Sequence, residues 1–119
     1  MKALQAAVEA DLVDNLLPFW TQTVDPNGGF YGVVTTANQP VPNADKGAIL
    51  NARILWTFAR AYRYNPLEEY KGMADRAAAY FITHFIDPKY GGVFWSVDAD
   101  GHPKDMTKQT YAASFGIYG

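Results

Sequence analysis

Asp25-Pro26-Asn27-Gly28-Gly29-Phe30-Tyr31-Gly32 decides the reading of the fold, because it returns as Asp87-Pro88-Lys89-Tyr90-Gly91-Gly92-Val93-Phe94. An Asp-Pro step followed by two glycines is a sharp turn: proline presets φ, aspartate bonds its own backbone, and glycine accepts positive φ. The aromatic and β-branched runs behind the turns, 30–35 and 93–97, predict short strands. The step along the chain from Gly28 to Gly91 nearly equals that from Lys46 to Lys108, the lysines that close the two loops. Each copy runs helix, Asp-Pro turn, paired glycines, aromatic strand, loop, lysine, helix. The unit is therefore a helix pair joined by a β-excursion, repeated over approximately 1–64 and 65–119. One helix pair cannot bury its apolar surface alone, so such units stack.

Working outward, the stretch from Met1 to Trp20 predicts a helix. Leu4, Ala7, Val8, Leu12, Leu16 and Phe19 recur at three- and four-residue spacing, and Pro18 is expected to close or kink the last turn. A second helix is predicted over 46–64, with Asp45 as its N-cap. A third covers 66–86 after the Asn65-Pro66 break, with Tyr70, Met73, Ala74, Ala77, Phe81 and Phe85 as its apolar stripe. Lys108 to Tyr118 opens a fourth. That last pattern stops short of its counterpart in the first copy, so the chain is expected to be a piece of a longer protein, with apolar outer faces meant for absent neighbours.

Composition sets bounds. The chain has 119 residues, 49% hydrophobic and 15% aromatic, with a formal net charge of -2. This is a folding composition. Without a lysine/arginine run there is no electrostatic case for nucleic acid or an anionic membrane. Without cysteine there is neither a disulfide scaffold nor a thiolate metal site. No apolar stretch approaches the roughly 18 residues of a membrane span, and the N-terminus lacks a secretory pattern, so a cytoplasmic location is expected.

The second helix carries the candidate chemistry. At 100° per residue, Ile49, Arg53, Trp56, Arg60 and Arg63 form one stripe and Leu50, Ile54, Phe58 and Ala61 lie opposite. Arg53 is the first charge on its stripe. An unpaired buried guanidinium is costly, so Arg53 has either a carboxylate partner or a wet cavity before it. At the offset that relates the two lysines, Tyr111 corresponds to Ile49 and Phe115 to Arg53. An arginine fork and a tyrosine hydroxyl on neighbouring inward faces suit a polyhydroxylated or anionic ligand. A salt-bridged arginine and a tyrosine bound to backbone are the alternatives.

Other residues carry less. His84 falls on the apolar side of the third helix and reads as half-buried; His102, in a Gly-His-Pro turn, reads as exposed. Their spacing supports no metal site. Asp98 and Asp100 read as turn residues, as do Asp25 and Asp87. The glycine pairs make no nucleotide loop, and there is no serine nucleophile elbow.

Leu16-Leu17-Pro18-Phe19-Trp20, Gly28-Gly29-Phe30-Tyr31-Gly32, Asp45-Lys46-Gly47, Arg53-Ile54-Leu55-Trp56-Thr57-Phe58-Ala59 and Ala61-Tyr62-Arg63 follow in an order and spacing that resemble the N-acylglucosamine 2-epimerase superfamily, its cellobiose 2-epimerase branch above all. Asp87, Gly91-Gly92-Val93-Phe94-Trp95, Asp98, Gly101, Lys108 and Tyr111-Ala112 continue the likeness across nearly the whole chain.

The resemblance implies an all-α fold, an (α/α)6 barrel of which this chain is about the first third. It implies proton transfer at C2 of a free reducing sugar, with no cofactor and a small-molecule sugar as the partner. Arg53 matches an arginine that holds the sugar near its reacting end and stabilises developing charge; Tyr111 matches a tyrosine lining the same cavity; Trp56 reads as structural. Asn51 departs from the histidine common at that position in cellobiose epimerases. The family's acid/base histidines lie in later helices, past Gly119, and neither His84 nor His102 matches them, so these residues alone are expected to be inactive. Three alternatives stand beside the epimerase: an aldose-ketose isomerase of the same superfamily, a glycoside or unsaturated-glycuronyl hydrolase using Asp45 and Asp105, and a non-catalytic sugar-binding toroid.

Overall fold

Pro18 shapes the first helical stretch. Its ring would press on the carbonyl one turn earlier, and it offers no N–H to that carbonyl. In the computed structural model, which describes residues 1–119, α1 (Lys2–Asp11) opens into a π-helical turn, Leu12–Leu16, and resumes as α2 (Leu17–Thr21). The Leu17 N–H donates to Leu12 O across the wider turn, so the helix absorbs the proline without ending. No residue of α1 is buried, and Leu4 and Val8 are 63% and 60% exposed. Its apolar stripe has no partner in this chain. The Cα radius of gyration, 15.1 Å, accordingly exceeds the roughly 13.5 Å of a compact globule of this length.

The second helix begins later than the sequence suggests. Lys46–Gly47 is a strand, β1, and α3 runs from Ala48 to Tyr64. β1 pairs antiparallel with β2 (Ser96–Val97), in register Lys46 to Val97 and Gly47 to Ser96; β2 pairs with β3 (Pro103–Asp105). Asp45 is therefore not a helix cap. Gly47 holds that position with no side-chain bond, and Asp45 instead meets Lys104 at 2.8 Å. The run 30–35 forms no named strand; it contributes isolated bridges, Val24 to Phe30 and Val34 to Pro40. The sheet thus links the entrance of α3 to the strand pair β2–β3 that follows the second glycine hairpin, and the two glycine hairpins remain separate.

Helix α3 ends at Asn65, which is extended (φ -138°, ψ 105°) as the residue before a proline must tend to be. Then α4 (Glu68–Tyr80) and a π-turn (Phe81–Phe85) form the third helical stretch, and α5 (Thr110–Tyr118) the fourth. The stripe read from periodicity is the one observed: Ile54, Phe58 and Ala61 are buried while Arg53, Trp56, Arg60 and Arg63 are not. Two cores result. One joins Leu17, Phe30, Ile54, Phe58, Tyr70 and Met73; the other joins Ala48, Ala52, Tyr80, Phe81, Phe85, Val97 and Ala112. Helix α3 belongs to both, packing against α4 on one side and α5 on another. The architecture is helical, with short antiparallel excursions: two helix-pair units side by side, the arc of an α/α toroid.

Candidate functional site

The exposed stripe of α3 and the neighbouring α5 frame the site. Between α3 and α5 lies a cleft of about 680 Å³ lined by Arg53, Trp56, Thr57, Tyr111, Ser114, Phe115 and Tyr118. Arg53 and Tyr111, singled out from opposite halves of the repeat, share this one cleft, and Phe115 lines it with them. Arg53 makes no ion pair with any carboxylate. Its guanidinium keeps its five donors for whatever enters. Tyr111 is 61% exposed, and Phe115 meets it edge-on at 5.1 Å.

An aromatic series runs down the wall. Phe115 is also edge-on to Tyr118 at 6.4 Å, and Tyr118 stacks on Trp56 at 5.2 Å with 18° between the rings. The Arg60 guanidinium lies 6.0 Å over the Trp56 ring. Trp56 therefore holds α5 against α3 while forming part of the cleft surface. A second cleft of about 560 Å³ lies on the other side of α3, lined by Trp20, Ile49, Leu50, Ile54 and Phe58 among others. Arg53 and Thr57 border both. An unpaired guanidinium between apolar and aromatic surfaces can bind a neutral ligand rich in hydroxyls and carbonyl oxygen, and can stabilise charge developing on that oxygen.

Each helix of the site is tied at its entrance by an ion pair whose members the sequence marks only singly. Asp25 and Asp87 do make turns: Asp25 Oδ1 accepts from the Asn27 N–H, and Asp87 Oδ1 accepts from the N–H groups of Lys89 and Tyr90. Their other oxygens, however, hold the two repeated lysines. Lys46 Nζ lies 2.7 Å from Asp25 Oδ2 and donates to Gly28 O; Lys108 Nζ lies 2.7 Å from Asp87 Oδ2 and donates to Gly91 O. The step from Asp25 to Lys46 equals the step from Asp87 to Lys108. That shared spacing was the signal. Lys108, with the N–H bonds of the turn, holds the Asp87 carboxyl well below the ordinary range, at about 2.

The remaining candidates lie elsewhere. His84 is half-buried, its Nδ1 2.9 Å from Gly101 O, and its ring meets Tyr80 at 4.3 Å. A carbonyl only accepts, so Nδ1 carries the proton. Burial pushes the Tyr80 hydroxyl up to about 12. Asp98, Asp100 and His102 bring ligand-type atoms within 4.8 Å of one another. Asp98 Oδ1 is taken by the N–H groups of Asp100 and His102, which is turn construction. Asp45 is paired with Lys104, and Asp105 accepts from the Thr107 N–H. Neither lines the cleft, so the carboxylate pair required by the hydrolase alternative is not assembled here. Asn51 is buried, donating to Gly47 O, with Oδ1 unpartnered. No helix is long and apolar enough to cross a membrane.

Comparison with known proteins agrees with this architecture. The chain is 50% identical over 118 residues to a cellobiose 2-epimerase of Bacteroides fragilis, and 44% identical over 112 residues to one of Eubacterium cellulosolvens. It superposes on the structure of cellobiose 2-epimerase from Spirochaeta thermophila with a TM-score of 0.95 at 38% identity, and on a D-mannose isomerase with a TM-score of 0.78 at 27% identity. These matches take in 93–98% of the chain but only 28–30% of each relative, so the chain spans about three tenths of their length. The N-acylglucosamine 2-epimerase (GlcNAc 2-epimerase) model matches residues 29–118, from the first glycine hairpin through the aromatic wall of the cleft. The chain belongs to the N-acylglucosamine 2-epimerase family.

Proposed function

We propose that residues 1–119 form the first part of a single (α/α)6 barrel catalytic domain, and that the complete protein is a cytoplasmic sugar 2-epimerase. Its substrate is a free reducing sugar, with a cellobiose-like disaccharide favoured by the relatives' names. Opening of the sugar ring exposes an aldehyde at C1. A base removes the C2 proton, and reprotonation of the enediolate from the other face inverts the carbon. Acid and base come from side chains outside these residues. Arg53 holds the reacting end and stabilises the negative charge that develops on oxygen as the proton leaves. Tyr111 contributes a hydroxyl to sugar binding, and the aromatic wall flanks both.

The observation that carries this reading is the unpaired Arg53 guanidinium sharing one cleft with Tyr111. Incubating the complete protein with cellobiose, mannose and N-acetylglucosamine in heavy water tests it. Deuterium should appear at C2 of one of them. Arg53→Ala should lower turnover by about 10²- to 10³-fold without loss of fold. Unchanged turnover by that variant would remove Arg53 from the chemistry. An aldose-ketose isomerase is the second reading, favoured by the superposition on D-mannose isomerase; it would yield the ketose in place of the C2 epimer.

A further inference from the structure

The site residues differ in how firmly their helices are held. Helix α3 buries six residues, whereas α5 buries only Ala112. Besides Ala112 and the Tyr118 stack on Trp56 farther along, the start of α5, and with it Tyr111, has a polar anchor. The residue before the helix cap supplies it. Lys108 directly precedes the extended Gln109 cap, about one turn ahead of Tyr111, and its ammonium is held from three sides. The Asp87 carboxylate is at 2.7 Å, Gly91 O at 2.6 Å, and the face of the Phe94 ring at 5.0 Å. Asp87 is fixed in turn by the two N–H bonds of its hairpin. Lys108 also packs against Gly92, where an added Cβ would come within 3.3 Å of its stem. The tether thus runs from a rigid hairpin on the second core to the mouth of the cleft.

We propose that Lys108 and Asp87 are positioning residues for sugar binding: their ion pair sets the height and rotation of α5 that put the Tyr111 hydroxyl into the cleft beside Arg53. Neither residue lines the cleft, so both act through Tyr111. The proposal rests on the epimerase reading of the cleft.

The test is a double-mutant cycle on the complete protein, read as KM for the sugar that exchanges its C2 proton. Lys108→Met should raise KM about fivefold, the worth of one lost hydrogen bond to the ligand, while kcat moves far less. Lys108→Arg, which keeps charge and donors, should restore it. In a Tyr111→Phe background, Lys108→Met should have almost no further effect, because the group it positions is gone. A merely structural lysine would reduce the folded fraction, and so apparent kcat, equally in both backgrounds. Asp87→Asn keeps a turn acceptor but drops the charge, and stands in should Lys108→Met fail to fold. An unchanged KM in a folded variant, or the same rise with and without the Tyr111 hydroxyl, overturns the proposal. Absence of C2 exchange by the unmodified protein overturns the functional reading itself, a result visible before any variant is made.

Discussion

The two glycine hairpins contain one device in two surroundings. In each, the aspartate ahead of the glycine pair holds the lysine that closes the loop at 2.7 Å, and that lysine also donates to a hairpin carbonyl. The burial differs. The Asp25 and Lys46 side chains are each 1% exposed, whereas those of Asp87 and Lys108 are 9% and 37% exposed. The cause is the neighbouring unit. Helix α4 lies over the first hairpin: Arg76 donates to the carbonyls of Asp25 and Gly29, and the Tyr80 ring lies beneath Gly28 and Gly29, with the Lys46 ammonium 5.1 Å from its centroid. No element of this chain covers the second hairpin in that way. Residue identity sets the geometry of the pair; the adjoining repeat sets what the pair is worth.

The largest expected difference follows from removing each lysine. Lys46→Met leaves a buried carboxylate without its counter-charge, at a cost of about 3–5 kcal/mol. Lys108→Met removes a lysine that is 37% exposed and leaves a carboxylate still bound by the Lys89 and Tyr90 N–H groups, and should cost less. Urea denaturation of the two variants measures the gap. Adding Asp25→Asn to Lys46→Met should recover much of the loss, because the orphaned charge goes and the turn acceptor remains. Equal losses at Lys46 and Lys108 would break the comparison.

A smaller effect should separate the glycines. Gly29 and Gly91 both have positive φ, 62° and 72°. Alanine at either must bear the left-handed strain of about 1–2 kcal/mol. At Gly29 the new Cβ also comes within 2.7 Å of the Tyr80 ring, while at Gly91 it meets nothing within 4 Å. Overpacking adds about 1–3 kcal/mol at the first site alone. Thermal melts of Gly29→Ala and Gly91→Ala should differ by that addition, and Tyr80→Leu should narrow the difference.

How far these features were legible depends on the range of the interaction that makes them. The faces of α3 follow from the helical period, so Arg53 against Ile54 and Phe58 could be sorted without coordinates. The helix-pair repeat was legible because its punctuation, Asp-Pro and Gly-Gly, acts within a single turn. Lys46–Gly47 becomes a strand only by pairing with Ser96–Val97, far along the chain, and local propensity cannot show that. Aspartate before a helix suffices for a cap, which is what the sequence predicts for Asp45; the strand moves the cap to Gly47. The clasps fell between these cases. Turn formation explained each aspartate and repetition marked each lysine, so nothing local demanded that they meet. Arg53 and Tyr111 could be placed on matching stripes, but the stacking of Tyr118 on Trp56 that closes their cleft depends on how α5 lies against α3.

The smallest effect is in acid, and it tests whether the second clasp is electrostatically active. The Asp87 carboxyl is held at about 2, below its ordinary value, chiefly by Lys108 and then by the Lys89 and Tyr90 N–H groups. An unfolded chain would protonate it near about 3.9. As pH falls from 5, the unfolded state takes up the proton first, so stability declines with falling pH. The contribution is complete above about pH 5 and is lost as pH passes through about 2. Asp98 and Asp105 are also lowered, by the His102 N–H and by Thr107, so the whole protein's acid curve does not isolate the pair. The difference between the protein and Asp87→Asn does. That difference should be constant from pH 7 to 5 and shrink between 4 and 2. In Lys108→Met the carboxyl loses its principal stabiliser, so the decline should still begin near the unfolded value but end at higher pH and be smaller. A difference curve unmoved by Lys108→Met would mean that the turn alone lowers Asp87, and that the exposed clasp repeats the geometry of the buried one without its electrostatics.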